Sequence, residues 1–221
     1  MTPGNVFGLG TVPRVTSERN RTGRPALSET RRAATRREVA LVAAHLFIEN
    51  GYAATTVEEI AAASGMGLRT FYRYFAGKED VVAPLLAIGT QAWADELAAC
   101  PPDLPLREAL SRSYRVATLG TLAAEGIVED RLRPVVRAAT QLPALRATWL
   151  RVQYDCETQL IPIIAARTGR SADDLDVALA AAMANTAVRL ATELWAASEE
   201  TGSAADVLDT CLARLATDIL R

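Results

Sequence analysis

Residues 55–78 read TTVEEIAAASGMGLRTFYRYFAGK. Thr56 followed three residues later by Glu59 has the form of a capping box, which satisfies free N–H groups at a helix start. A helix is predicted from Val57, with Val57, Ile60 and Ala61 on one face. Ser64-Gly65-Met66-Gly67 breaks it, because glycine enters backbone regions that other residues resist. A second short helix is predicted from Leu68 to Phe75. At about 100° per residue, Phe71 and Phe75 lie about 40° apart and define an inward face, with Leu68 on the same side. Arg73 points outward, Arg69 and Thr70 lie beside it, and Tyr72 and Tyr74 flank the boundary. A ring there can pack while its hydroxyl reaches a phosphate. Two short helices about a tight turn, the second cationic outside and aromatic inside, suit a helix-turn-helix DNA reader. Spacing alone also suits an ordinary amphipathic helix pair with a solvated face.

Upstream, residues 1–28 are rich in Gly, Pro, Thr and Arg without a hydrophobic period, so a flexible basic arm is expected. Within it Arg21-Thr22-Gly23-Arg24-Pro25 is similar to the Gly-Arg-Pro core of an AT-hook. Arg21 and Arg24 are candidates for a narrow minor groove, the alternative being a solvated tail. A first helix is predicted from Ser28–Thr30 to Asn50-Gly51. Downstream the pattern is helical throughout. A helix over Lys78–Ala99, bent at Pro84, precedes breaks at Pro101, Pro102 and Pro105. Further helices are expected over Leu106–Ala124, Asp130–Ala139, Pro143–Thr168, from a Ser171 cap to Ser198, and from a Ser203 cap nearly to the end. The expected fold class is all-α, with about nine helices. Two domains are expected, residues 29–77 around the helix-turn-helix and 78–221 a larger helical one.

Charge divides along the same boundary. Residues 1–80 carry 11 Lys or Arg against 8 Asp or Glu, and residues 81–221 carry 13 against 18. The basic part suits DNA and the acidic part does not. No apolar run approaches the roughly 20 residues that span a membrane. The first thirty residues lack the apolar core of a secretory signal, so a cytoplasmic protein is expected. Cys100, Cys156 and Cys211 have no spacing for zinc or a disulfide framework, and buried thiols are expected. His45 is the one histidine, and no nucleophile elbow or phosphate loop accompanies it. The composition argues against an enzyme, and no cofactor or metal is expected.

The run from Val39 to Leu85 resembles the TetR family of bacterial repressors. The ordered pieces are Leu46-Phe47, Gly51-Tyr52, Thr55-Thr56, Ile60-Ala61, Thr70-Phe71-Tyr72, Tyr74-Phe75 and Lys78-Glu79. The resemblance implies three helices with the third in the major groove of double-stranded DNA. Thr56 would meet the backbone, Arg69, Thr70 and Tyr72 would face bases or nearby phosphates, and Tyr74 and Lys78 would clamp phosphates. Gly67 stands where many relatives have a hydroxyl residue, leaving its phosphate contact to a backbone N–H or absent. Arg73 varies in the family, so its role as a base reader rests on helix geometry.

The larger domain carries Tyr114, Thr118, Trp149, Tyr154, Asn185 and Trp195 among apolar residues, which are candidates for a pocket binding a small-molecule effector. Packing within the core is the alternative for each. Asp103–Arg167 resembles the C-terminal domain of TetR-type regulators associated with acyl-CoA-like ligands. Arg112, Arg115 and Arg151 are candidates for an anionic head group. Leu179, Met183 and Leu190 on the eighth helix, with Leu208, Leu212 and Leu215 on the ninth, form stripes at helical spacing. The resemblance implies a homodimer across these two helices, and two-fold pairing would read a pseudo-palindromic operator. The reading is a homodimeric repressor released by a hydrophobic ligand. Its alternatives are a helical carrier without specific DNA binding, and a ligand-independent regulator.

Overall fold

The capping box at Thr56 forms. Its N–H donates to Glu59 Oε2 at 2.7 Å, and Glu59 N–H donates to Thr56 Oγ1 at 3.2 Å. This start sets the frame of a computed structural model that describes residues 23–121, 129–199 and 202–215. Nine α-helices occur among the described residues, and no strand does. In chain order they are α1 (Gly23–Asn50), α2 (Val57–Ala63), α3 (Leu68–Tyr74), α4 (Ala83–Ala99), α5 (Leu106–Val116), α6 (Glu129–Gln141), α7 (Pro143–Thr168), α8 (Leu175–Ala197) and α9 (Ala204–Arg214). The all-α class read from the sequence holds.

Several boundaries differ from expectation for local reasons. Helix α1 starts at Gly23, inside the expected arm, with Pro25 in its first turn. Proline suits that turn because its φ is preset and its missing N–H is not needed there. Arg21 lies outside the described residues, and Arg24 belongs to α1. The long helix expected from Lys78 is two pieces. Lys78–Asp80 is a 3₁₀ turn, and α4 begins at Ala83 with Pro84 at its start, so Pro84 opens a helix rather than bending one. Helix α5 stops at Val116 and widens into a π turn over Ala117–Thr121. Helix α8 is capped by Asp174, whose side chain accepts from Asp176 N–H at 2.9 Å, and not by Ser171. Ser203 caps α9 as expected, in a capping box with Asp206.

Helices α1, α2 and α3 enclose a small core of Ala40, Ala43, Phe47, Ile60, Phe71 and Phe75. Gly65 makes the turn between α2 and α3 at φ +67°, a left-handed conformation that favours glycine. Helix α4 packs on α1, α5 and α7, and α8 packs on α6, α7 and α9. Arginines on neighbouring elements satisfy helix-end carbonyls that have no partner in their own helix. Arg167 donates to the carbonyls of Cys100, Pro101 and Leu104 beyond α4, at 2.8–3.0 Å. Arg137 Nε donates to Ala196 O at 2.8 Å and Arg133 to Ser198 O at 2.7 Å, tying α6 to the end of α8. No helix among the described residues is long and apolar enough to cross a membrane.

Candidate functional site

Helix α3 is amphipathic in the predicted sense. Phe71 and Phe75 are fully buried, with ring centroids 5.2 Å apart, whereas Arg69, Tyr72 and Arg73 are exposed. Thr70 and Tyr74 are half-buried at the boundary. Leu68 is a correction, because it is 40% exposed rather than inward. It is the first residue of α3, and its Cβ leans toward the N-terminus, past the cover that α2 provides. Among the described residues, no ion pair engages the guanidiniums of Arg69 and Arg73. Arg32 of α1 donates to Arg73 O at 3.1 Å and lies 5.5 Å from the Tyr74 ring centre, while Arg73 lies 5.4 Å from the same ring. Two guanidiniums thus lie close to the Tyr74 ring at the edge of the exposed face. Gly67 is the N-cap of α3, with φ −78° and ψ 154°, and no side chain caps the helix there.

Two proposed phosphate contacts also serve the fold. The Thr56 hydroxyl accepts from Glu59 N–H and donates to Glu59 Oε2 at 3.1 Å. Lys78 Nζ donates to Tyr52 O and Thr55 O at 2.8 Å each, and stands 4.2 Å from the centre of the Tyr52 ring. Two of its three protons therefore pin the end of the DNA-binding unit to the loop before α2. Lys78 is a fastener first, and one proton remains for a phosphate.

The next two residues bind the larger domain. Asp80 pairs with Arg151 of α7 and lies 4.0 Å from Arg36 of α1, while Thr148 Oγ1 of α7 donates to Glu79 O at 3.0 Å. Arg36 also lies 5.4 Å from the Phe75 ring centre.

Inside the larger domain, α4, α5, the π turn, α6, α7, α8 and the start of α9 surround a cavity of about 70 Å³. Tyr114, Thr118, Trp149 and Trp195 line it together, with Leu86, Val136, Gln153, Val188 and Thr192. The other two expected pocket residues are elsewhere. Tyr154 is 69% exposed on the outer face of α7. Asn185 is buried toward α7, where its Nδ2 donates to Glu157 at 3.5 Å. Gln153, which the sequence reading missed, is buried in the wall. A lone glutamine in a helical run carries no signal that separates cavity from surface.

The polar groups of the wall are largely bonded to the protein itself. Trp149 Nε1 donates to Glu193 at 2.8 Å, Trp195 Nε1 to Gly202 O at 3.0 Å, Thr118 Oγ1 to Tyr114 O at 2.9 Å and Thr192 Oγ1 to Val188 O at 2.8 Å. Tyr114 Oη lies 3.0 Å from Thr192 Oγ1. The arginines considered for an anionic head group are engaged otherwise: Arg151 with Asp80, and Arg115 with Asp206 and Asp209. Arg112 lines a separate open groove between α5 and α9. Behind the wall, burial and then the neighbouring Glu157 push the Cys156 thiol up to about 12, so it stays protonated at neutral pH.

The interface stripes divide differently from expectation. Leu208 and Leu212 are buried within the subunit, where α9 packs against α8 and α5. Met183 and Leu215 are half-buried against the same core. Leu179 and Leu190 remain exposed on α8 with Leu175 and Leu194, and Leu150 and Tyr154 are exposed on α7.

A helix-turn-helix with an exposed cationic recognition helix, joined to a helical domain with an internal cavity, defines a one-component transcriptional regulator. The family described as bacterial regulatory proteins, tetR family, matches residues 41–85, and the MftR C-terminal domain matches residues 104–219. The HTH-type transcriptional regulator TcmR of Streptomyces glaucescens is 34% identical over 161 residues, covering 72% of this chain and 71% of that protein. The putative mycofactocin biosynthesis transcriptional regulator MftR of Mycobacterium tuberculosis is 26% identical over 198 residues, covering 84% and 94%. The fold is shared with FadR from Bacillus subtilis in complex with stearoyl-CoA, at 20% identity, a TM-score of 0.54, and 80% and 96% coverage. The chain belongs to the TetR family of transcriptional regulators. Its relatives are not enzymes, and the carrier without DNA binding is set aside.

Proposed function

We propose that the protein is a homodimeric, sequence-specific repressor of the cytoplasm. It binds a pseudo-palindromic operator through α3 and leaves it when a small hydrophobic ligand occupies the cavity. The observation that carries this reading is the division of α3, with Phe71 and the C-cap Phe75 anchored in the core and Arg69, Tyr72 and Arg73 presented outward. Arg69 and Arg73 suit base edges or phosphates, and Thr70 and Tyr74 suit the flanks. Gly67 would contribute a backbone N–H, and Thr56 and Lys78 would add phosphate contacts beside their structural bonds. The exposed Leu179 and Leu190 of α8 suit part of the dimer face expected across α8 and α9, while Leu208 and Leu212 hold α9 to its own subunit.

The stearoyl-CoA complex of the B. subtilis regulator makes an acyl thioester one candidate ligand class for this chain. The cavity, at about 70 Å³, is well below the roughly 300–1,000 Å³ of pockets for drug-sized ligands. An elongated ligand therefore requires its walls to part. Release follows if the ligand binds the DNA-incompetent arrangement more tightly than the competent one.

Selection of bound duplexes from a random pool at near-physiological salt tests the reading. A two-fold symmetric consensus is expected. Recovery of no consensus by a folded, dimeric protein would reject a sequence-specific repressor.

A further inference from the structure

Gln153 is the polar residue of the cavity wall whose bonding is incomplete. The residue is 3% exposed, and its Oε1 is buried without a hydrogen-bond partner. A buried amide oxygen in that state is costly, and native proteins rarely retain one without a use. The donors that line the cavity are bonded elsewhere: the N–H groups of Trp149 and Trp195, the hydroxyl protons of Thr90, Thr118 and Thr192, and the Tyr114 hydroxyl, which lies 3.0 Å from Thr192 Oγ1. A ligand made only of acceptors, such as a thioester carbonyl, gives nothing to this oxygen. A ligand carrying one N–H or O–H does. The lining around it is largely apolar and aromatic, which suits a ring, and at about 70 Å³ the cavity must widen even for a compact one.

We propose that Gln153 is the specificity-determining residue of the cavity, and that it selects a compact, neutral, ring-bearing ligand through an N–H or O–H donated to its amide oxygen. This rests on the ligand-binding part of the proposed function and narrows it. A site that hydrogen-bonds its ligand rejects the analogue lacking the group far more strongly than an apolar site rejects a missing methylene.

Indole and benzofuran make the test, because they share a shape and differ in an N–H against a ring oxygen. Both are titrated into the DNA-free full-length protein by calorimetry, with melting temperature as a second readout. Indole should bind at least tenfold more tightly than benzofuran. Gln153→Leu should abolish that preference while leaving the unliganded melting temperature equal or higher, since it removes an unpaired polar atom; Gln153→Met is the substitute if the leucine variant does not fold. Equal binding of the two probes to the natural chain would overturn the proposal, as would no binding of either up to its solubility. Such equality is also the result if a water alone serves the amide. A Gln153 variant that loses stability and keeps the preference would likewise overturn it. Operator selection is read separately, so a protein that recovers a palindrome but ignores the N–H refutes this inference alone.

Discussion

Replacing Lys78 by methionine retains an unbranched stem and removes the ammonium. Two charged hydrogen bonds of 2.8 Å, to Tyr52 O and Thr55 O, are lost together with the cation over the Tyr52 ring at 4.2 Å. Hydrogen bonds to charged groups contribute about 1.5–3 kcal/mol each, and a partly exposed cation–π contact about 0.5–1 kcal/mol. The three share one half-buried group and do not add, so the expected loss is about 2–4 kcal/mol. In a chain of this length each kcal/mol lowers Tm by about 2–4 °C, which gives a fall of about 4–16 °C. A lysine serving only as a phosphate clamp behaves differently. Its removal leaves Tm in place and reduces the slope of log K against log salt by about 0.9 per phosphate. Calorimetric melting of the free protein, with a salt titration of operator binding, separates the two. A Tm within about 1 °C of the natural chain, with a slope lower by a full unit, would refute the fastener assignment.

Arg73→Ala and Arg69→Ala should each cost about 1–3 kcal/mol on the preferred operator and relax preference at one position, measured by competition with single-base variants; unchanged specificity in both would place another face in the groove. Asp80→Asn should speed hydrogen exchange in 78–83 and 148–152 and lower stability by about 1–3 kcal/mol, because Arg151 and Arg36 lose their shared carboxylate; exchange unaltered there would show that the pair holds nothing together. Leu179→Glu with Leu190→Glu should give a folded monomer in sedimentation, with operator affinity lost, and a persistent dimer would assign the interface elsewhere.

The helix-turn-helix was legible because its determinants are local. Thr56 and Glu59 meet within one turn, and Phe71 and Phe75 are neighbours on any helix that contains both. The cavity was half legible. Trp149 and Tyr154 lie on the same α7, and which of them faces inward depends on α4, α6 and α8 packing around it. Leucine spacing on α8 and α9 was equally regular, yet α9 uses Leu208 and Leu212 against α8 and α5, while Leu179 and Leu190 stay uncovered. Asp80 and Arg151 are 71 residues apart, and nothing local links them.

That long-range pair changes where the coupling between the two domains is sought. Connectivity alone makes α4 a natural lever, because it joins them. In the structure α7 has an equal claim. Within six residues it presents Thr148 and Arg151 to the turn that ends the DNA-binding domain, and Trp149 and Gln153 to the cavity. These positions span about 7.5 Å of helix, so a shift of α7 that enlarges the cavity also moves the anchor of Glu79 and Asp80. The energy needed is modest: a hundredfold loss of operator affinity is about 2.7 kcal/mol, comparable to one or two charged hydrogen bonds. Linkage then runs both ways. If ligand weakens operator binding a hundredfold through α7, operator must weaken ligand binding by the same factor.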